Sequence, residues 1–353
     1  MVRKVINMSL DLNYSANVLV STDGMPEDEW LNWRRKGIGG SDAGAVLGIS
    51  PYKTARDIYF EKIGREPDYV SDTGWVALEV GKRLEDLVAQ IFAKKTGFNI
   101  WQEKKMFQHP LYPFMLADMD YFFETPAGEI GILECKTANI YAKENWENDS
   151  VPYHYEMQCR HYMAVKNISK VYIACLFSNS EADFIYRLIE RDLDIEEAMI
   201  EEEAYFWEEY VENGIEPSIS SDGDLALASL KRYGDEQKTG KDDMIMFAEH
   251  HSVELEQIVR LRAEKAALEK NARDLEKSIR TIYSKFAHMM GNVTKGKCFA
   301  ADGSEYVVTY NPSVRTSVNR ENLERMRLND RAMYDKYVTE TECRAFQVKK
   351  YKS

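Results

Sequence analysis

The 353-residue chain has only five cysteines, six histidines and nine prolines. It also lacks any apolar run near the roughly 20 residues that a membrane span requires. Cys135, Cys159, Cys175, Cys298 and Cys343 are scattered, odd in number and form no CxxC pair. That excludes a disulfide framework and argues against zinc held by thiolates. The N-terminal segment MVRKVINMSLDLNYSANVLVSTDG has no continuous apolar stretch and no small-residue cleavage site, so no secretory signal is expected. The thiols therefore read as reduced, in a cytoplasmic protein. His154 and His161 are seven apart and His250 and His251 adjacent, so no H-x-x-x-H pair supports zinc hydrolase chemistry. A G-x-S-x-G elbow and a GxxxxGK[ST] loop are both missing, which sets aside serine hydrolases and P-loop nucleotide hydrolysis. Positive charge is in deficit as well: 46 Lys and Arg against 59 Asp and Glu give a net charge of −13. Overall charge thus cannot coat nucleic acid, although a local basic groove stays open.

What is present describes a folded chain with a definite order. Hydrophobic residues make up 44% and aromatics 12%, enough for a sizeable core. Residues 1–28 read as an N-terminal arm or edge strand, with weak alternation at Val18 and Val20. RRKGIGGSDAGAVLGIS follows, in which Ser41 or Asp42 is placed to cap a short helix from Ala43. Gly40, Gly44 and Gly48 leave one face of that helix bare for close approach. Residues 74–97 predict an amphipathic helix ending at Gly97, with Val80, Leu84, Leu87, Val88 and Ile91 as its buried stripe. Strand-like pieces at 114–123 and 129–136 flank a turn at Thr125–Gly128. A helix over 152–166, a strand pair at 171–177 and 183–191, and an acidic helix from 193 to 213 complete one mixed α/β domain over 29–218. Residues 219–243 read as a linker. Residues 244–290 predict a long helix in which Leu261, Leu268, Leu275 and Ile282 recur every seven. That spacing fits a short coiled coil or helical hairpin. Residues 291–353 form a C-terminal α+β extension with a basic end, KKYKS.

The chemistry concentrates on two neighbouring strands. Residues two apart on a strand share a face, so Asp118 and Asp120 are expected to point together, as are Glu134 and Lys136 in GILECKT. Ile132 shares the face of that pair, and Leu133 and Cys135 take the core side. An isolated E-x-K is equally at home on a solvated sheet. Here the acids interrupt otherwise apolar strands, and buried carboxylates need a partner or a metal. Oxygen-only ligation with open positions suits Mg²⁺ or Mn²⁺. A lysine beside such a site can orient water or offset charge on a phosphate. Glu85, in GKRLEDL, is a candidate addition to the cluster, though charge alone does not separate it from Glu79 or Asp86. Gln158 in YEMQCRHY reads on its own as an ordinary polar helix position. The glycine-rich run with Arg34, Arg35 and Lys36 beside it fits either an anion site at a helix start or a tight solvated turn.

Taken in order, RRKGIGGSDAGAVLGISPYKTARDIYFEKIG, GKRLE, LADMDYFF, LECKTA and YEMQCRHYMAV resemble the YqaJ-type phage recombinase nucleases. That family is similar to phage lambda exonuclease and has the PD-(D/E)xK restriction-endonuclease-like core, a central mixed sheet flanked by helices. The resemblance spans about 30–217. It implies hydrolysis of duplex DNA dependent on one or two Mg²⁺ (or Mn²⁺) ions, running 5′ to 3′ and leaving single strands for phage-type recombination. By position it implies Asp120, Glu134 and Glu85 as metal ligands, and Lys136 acting on the attacking water. Gln158 would hold the helix end of the site, and Arg35 and Ser41 would bind a substrate phosphate. The family often has asparagine where this chain has Asp118, which keeps Asp118 as a substitute for Asp120. The resemblance also implies a single-strand annealing protein as partner, a homo-oligomer, and a phage or prophage origin in a bacterial cell. Competing readings are a nicking or structure-selective endonuclease and an inactive DNA-binding module of the same fold.

Overall fold

The computed structural model describes residues 10–68, 74–220, 222–234, 244–311 and 319–338. Residues 1–9 of the arm, 235–243 of the expected linker, and the CRAFQVKKY and KKYKS segments lie outside the described residues. The chain divides into two compact units, residues 1–238 and 239–353. No helix among the described residues is long and apolar enough to cross a membrane.

The first unit begins with β1 (Asn17–Ser21), α1 (Glu27–Arg34), β2 (Ile38–Gly39), α2 (Gly40–Val46), α3 (Ala55–Lys62) and α4 (Trp75–Thr96). Then come β3 (Asn99–Trp101), β4 (Lys105–Gln108), β5 (Met115–Ala117), β6 (Tyr121–Glu124) and β7 (Ile130–Thr137). It closes with α5 (Tyr153–Lys166), β8 (Lys170–Leu176), β9 (Phe184–Glu190), α6 (Leu193–Tyr205) and α7 (Gly223–Arg232). One sheet has the order β3-β6-β7-β8-β9, with β7 and β8 parallel and the other pairs antiparallel. A smaller sheet runs β1-β4-β5-β2.

The central sheet is mixed because β7 reaches β8 through a crossover that contains α5, which a parallel pair requires. α5 covers one face: Cys159, Met163 and Ala164 pack with Phe122, Ile132, Val171 and Ile173. α4 covers the other, where Val88, Ala89 and Phe92 pack with Tyr121, Phe123, Leu133 and Ala174. This is the flanked mixed sheet that the family resemblance implies.

Several local expectations are corrected. Ile132 and Leu133 point to opposite faces and are both fully buried, because β7 is the middle strand and neither face meets solvent. The segment 114–123 is not one strand. It breaks at 118–120, with β5 in the small sheet and β6 in the central one. Asp118 and Asp120 are therefore loop residues, not two positions on one pleat. The stripe of α4 is Val88, Ala89 and Phe92 with Ile91 packed beside them; Val80 is exposed because the N-terminal half of α4 does not lie over the sheet, and Leu87 because it falls off the buried face. Its end is as expected, with Gly97 at φ 72° as the left-handed cap. α2 begins at Gly40, before Ser41 and Asp42. Asp42 instead sits one turn in and accepts the Gly39 N–H at 3.0 Å. Glycine spacing does allow close approach: a Cβ on Gly40 would stand 2.4 Å from the Tyr162 ring of α5, and one on Gly44 3.0 Å from His154.

The expected linker 219–243 carries α7, bound back onto the unit. Arg232 donates to Asp57 at 2.7 Å, and Arg56 to the Tyr233 carbonyl at 3.1 Å. The second unit contains α8 (Ser252–Met290), the antiparallel pair β10 (Lys295–Phe299) and β11 (Glu305–Thr309), α9 (Arg320–Asn329) and α10 (Arg331–Tyr337). The long helix thus starts at Ser252, later than the expected 244.

Candidate active site

The β6–β7 hairpin sets the register of the site. Its turn closes with the Gly128 N–H donating to the Thr125 carbonyl at 2.8 Å, and Tyr121 pairs with Leu133. Asp120, one residue ahead of β6, therefore lies beside the end of β7, where its Oδ2 accepts the Cys135 N–H at 2.8 Å. Glu134 and Lys136 flank that amide, and the Lys136 ammonium donates to Oε1 of Glu134 at 2.6 Å. Gln158, from the first half of α5, donates to the same Oε1 at 2.6 Å and to the Tyr162 hydroxyl at 2.8 Å. Oε2 of Glu134 is buried and has no hydrogen-bond partner among the described residues. Asp118 accepts from the Trp30 indole at 2.7 Å.

Glu85 reaches this group from the exposed half of α4, which runs past the end of β7 so that Gly81 lies near Thr137. Glu85, Asp118, Asp120, Glu134, Lys136 and Gln158 line one cleft of about 680 Å³. A second cleft of about 630 Å³ shares Arg34, Ser41, Lys136 and Gln158 with it and continues past Lys53, Lys62 and Arg65.

The electrostatics are those of crowded acids. Burial, then the Glu134 and Glu85 charges, push the Asp120 carboxyl well above its usual range. Burial, then Glu134 and Asp86, push Glu85 up to about 7. Burial also raises Asp118, against the opposing pull of the Trp30 hydrogen bond. Burial presses on the Lys136 ammonium, but Glu134 and Asp120 outweigh it and hold Lys136 above its ordinary value. In the absence of metal Lys136 is thus a cation, and it donates to Glu134.

Among the described residues, no three His, Cys, Asp or Glu side chains form a ready-made metal cage. The donors nevertheless fit a hard divalent ion. They are all oxygen, they raise one another's proton affinity as carboxylates do without a cation, and one buried oxygen is unpartnered. An ion that keeps several waters and takes substrate oxygens does not need a full protein cage.

The two arginines beside the glycine-rich run part company. Arg34 donates to Ser41 Oγ at 2.9 Å and to Asp42 Oδ1 at 2.8 Å. Lys62 fixes the other oxygen of Asp42 at 2.7 Å and also donates to the Arg34 carbonyl at 3.0 Å. Although burial opposes it, Arg34 and Lys62 together hold the Asp42 carboxyl well below its ordinary range. Arg35, the arginine the family resemblance implied, instead donates to Asn32 and to Glu66, the latter at 2.9 Å, and only borders the second cleft.

The sequence profile of the YqaJ-like viral recombinase domain matches residues 29–169. Over 336 residues the chain is 30% identical to the uncharacterized protein YqaJ of Bacillus subtilis (strain 168), covering 95% of this chain and 98% of that one. The chain belongs to the YqaJ family. It is also similar to the crystal structure of an alkaline exonuclease, LHK-Exo, from Laribacter hongkongensis. That match has 18% identity and a TM-score of 0.43, over 54% of this chain and 94% of that one. A phage related exonuclease from Haemophilus somnus 129PT matches at 15% identity and a TM-score of 0.38, over 53% of this chain and 98% of that one.

The span matched by the YqaJ-like profile contains every residue of the cleft named above. Trp30, Lys62 and Tyr162, which bond Asp118, Asp42 and Gln158, are not singled out by the sequence, and Arg34 stands there only as one of three charges beside the glycine-rich run. No sequence period links Arg34 to Ser41, because a turn and β2 lie between α1 and α2.

Proposed function

We propose that this YqaJ-family chain is a divalent-metal-dependent deoxyribonuclease that digests linear duplex DNA 5′ to 3′ and leaves single strands for recombination. The carrying observation is the Glu134 carboxylate, with one oxygen held by Lys136 and Gln158 and the other bare in a cleft with Asp120 and Glu85.

Asp120, Glu134 and Glu85 are the residues that would hold Mg²⁺ or Mn²⁺. When bound, such an ion polarises the scissile phosphate and lowers the pKa of its water. Asp120 is favoured over Asp118 because the Cys135 amide aims it along β7 toward Glu134, whereas Asp118 is engaged by Trp30. Lys136, kept cationic, donates to the attacking water and offsets charge that grows on the phosphate oxygens. Gln158 fixes the rotamer of Glu134 so that its bare oxygen keeps facing the cleft. Arg34 and Ser41 sit where the two clefts meet, so they bind the phosphate of the strand being shortened. Duplex DNA is the substrate, and a single-strand annealing protein is the partner that would take the exposed strand.

End-labelled linear duplex and covalently closed circular duplex, each with Mg²⁺ and with EDTA, test the reading. The expected result is loss of linear duplex beginning at the 5′ label, with Mg²⁺ only, and an untouched circle. Nicking of the circle at the same rate would make it an endonuclease. No hydrolysis with either Mg²⁺ or Mn²⁺ would leave a binding module.

A further inference from the structure

We propose that His161 is a positioning residue for the site: through the Leu116 carbonyl it fixes the strand end from which the Asp118–Asp120 turn carries its acids into the cleft. The proposal deepens the nuclease reading above and rests on it for what Asp120 does there. His161 is on α5 and Glu203 on α6, and both are 0% exposed. His161 Nε2 lies 2.9 Å from the Leu116 carbonyl oxygen, and Nδ1 lies 2.9 Å from Oε1 of Glu203. A carbonyl oxygen only accepts, so Nε2 carries a hydrogen and donates it. Burial presses against the imidazolium, but the Glu203 charge and the hydrogen bonds to Glu203 and Leu116 outweigh it and hold His161 above its ordinary value. Both ring nitrogens are then donors, one to each partner.

Leu116 is where β5 needs that donor. β5 has three residues, and β2 pairs with it only at Met115 and Leu116. At Gly40 the chain leaves β2 for α2, so past Leu116 the strand has β4 alone, through Phe107 and Ala117. Asp118 follows directly. A strand end held on one side opens readily, and the turn that follows moves with it.

α5 does the holding twice. Gln158 and His161 are three apart, so they are neighbours on its surface. Gln158 donates to Glu134 at 2.6 Å, and His161 to Leu116. One turn of α5 thus sets the distance between the segment that bears Glu134 and the segment that leads to Asp120. Glu203 keeps the ring in place. Its Oε2 has no hydrogen-bond partner among the described residues, so the bond to Nδ1 is what satisfies this buried carboxylate.

Two substitutions of His161 separate its two bonds. An asparagine amide reaches about as far as Nδ1, and a glutamine amide about as far as Nε2. His161→Asn therefore keeps Glu203 and drops Leu116, and His161→Gln does the reverse. The full chain without metal is followed by hydrogen exchange of the peptide 115–121 and by melting, and its Mn²⁺ affinity by calorimetry without DNA. His161→Asn should exchange that peptide about tenfold faster and bind Mn²⁺ about tenfold more weakly. His161→Gln should melt lower than His161→Asn, because Glu203 loses its donor in the core. It should nevertheless keep exchange and Mn²⁺ affinity within about threefold of wild type. Glu203→Gln serves where that variant does not fold. Its amide donates to Nδ1 while Nε2 keeps Leu116, so both readouts should again stay within about threefold of wild type. Equal losses in His161→Asn and His161→Gln overturn the proposal. So do losses that follow the melting temperature rather than the Leu116 donor. The exchange contrast needs no metal, so it decides the proposal even where a wild type that binds no Mn²⁺ has removed the nuclease reading.

Discussion

Lys136 holds one oxygen of Glu134 at 2.6 Å and leaves the other unpartnered in the cleft. The lysine therefore neutralises a buried carboxylate in the resting protein, and in the proposed reaction it is the group that stays charged. Without it, Asp120, Glu134 and Glu85 face one another with no cation. Metal-free Lys136→Ala should melt several degrees below wild type, and Mn²⁺ should restore more of its stability than it adds to wild type. Cleavage should fall about a hundredfold or more even with metal present. Glu134→Ala should lose cleavage to the same extent and also lose most of the Mn²⁺ stabilisation. The checks are melting curves with EDTA and with Mn²⁺, beside digestion rates. Full activity in either variant would sink the assignment.

Arg34 and Arg35 are adjacent in sequence but do different work. Arg34 bonds Ser41 where the clefts meet, and Arg35 pairs with Glu66 at the rim. Arg34→Ala should lower kcat/KM on 5′-phosphorylated duplex by roughly ten- to a hundredfold, the range of a charge-assisted phosphate bond. Arg35→Ala should stay within about threefold of wild type. The fold should survive Arg34→Ala because Lys62 still pairs Asp42 at 2.7 Å. Equal losses in the two variants would remove the distinction.

Glu85 gives a pH signature with a definite sign. Its carboxyl is raised from 4.5 to about 7 by burial, then by Glu134 and Asp86. The folded state thus binds its proton more tightly than the unfolded chain, so stability is full below about pH 4.5 and is lost as pH rises through 7. Asp120 is raised too and contributes with the same sign. Solvent screening limits the Glu85 share to about 1–2 kcal/mol. In EDTA, wild type should lose melting temperature between pH 5 and 8 relative to Glu85→Gln, and Mn²⁺ at pH 8 should close the gap. Parallel curves for the two proteins would count against the acidic cluster.

How far the sequence discloses this arrangement depends on the range over which each feature is determined. The ends of α4 and α5, the β6–β7 turn and the β8–β9 pair are local, written in glycines, periodicity and apolar runs, and they are legible. Glu134 and Lys136 share a face because a strand has period two, which is local as well. Asp118 and Asp120 reach the cleft for a different reason. The chain changes sheets between β5 and β6, a tertiary event with no period. α2 starts earlier than its capping residues suggest because Asp42 caps from the third helical position, reaching back to the Gly39 N–H at 3.0 Å. α7 is hidden in a polar segment because its attachment runs largely through Arg56, Arg232 and Asp57, with only Ala226 and Tyr233 as buried apolar contacts. Gln158 looks ordinary until Glu134 is seen across from it.

Gly40 joins the helix contact to the chemistry. Its hydrogen lies against the Tyr162 ring, where a Cβ would approach to 2.4 Å. Tyr162 in turn accepts from Gln158, which holds Glu134. The ring cannot bend away as a flexible chain end would, so Gly40→Ala forces α2 and α5 apart or turns Tyr162. Overpacking of this kind costs about 1–3 kcal/mol. For a unit of this size the melting temperature should drop by roughly 3–10 °C. Turning Tyr162 frees Gln158, so the rate should fall further than the lost stability explains at a temperature where the variant is fully folded. Gly48→Ala is the control. Gly48 has φ 70° and nothing within 4 Å of the added carbon, so it pays backbone strain without touching Tyr162. That variant should lose stability and keep its rate. Equal rate losses in both would show that Gly40 acts through the helix backbone and not through the tyrosine.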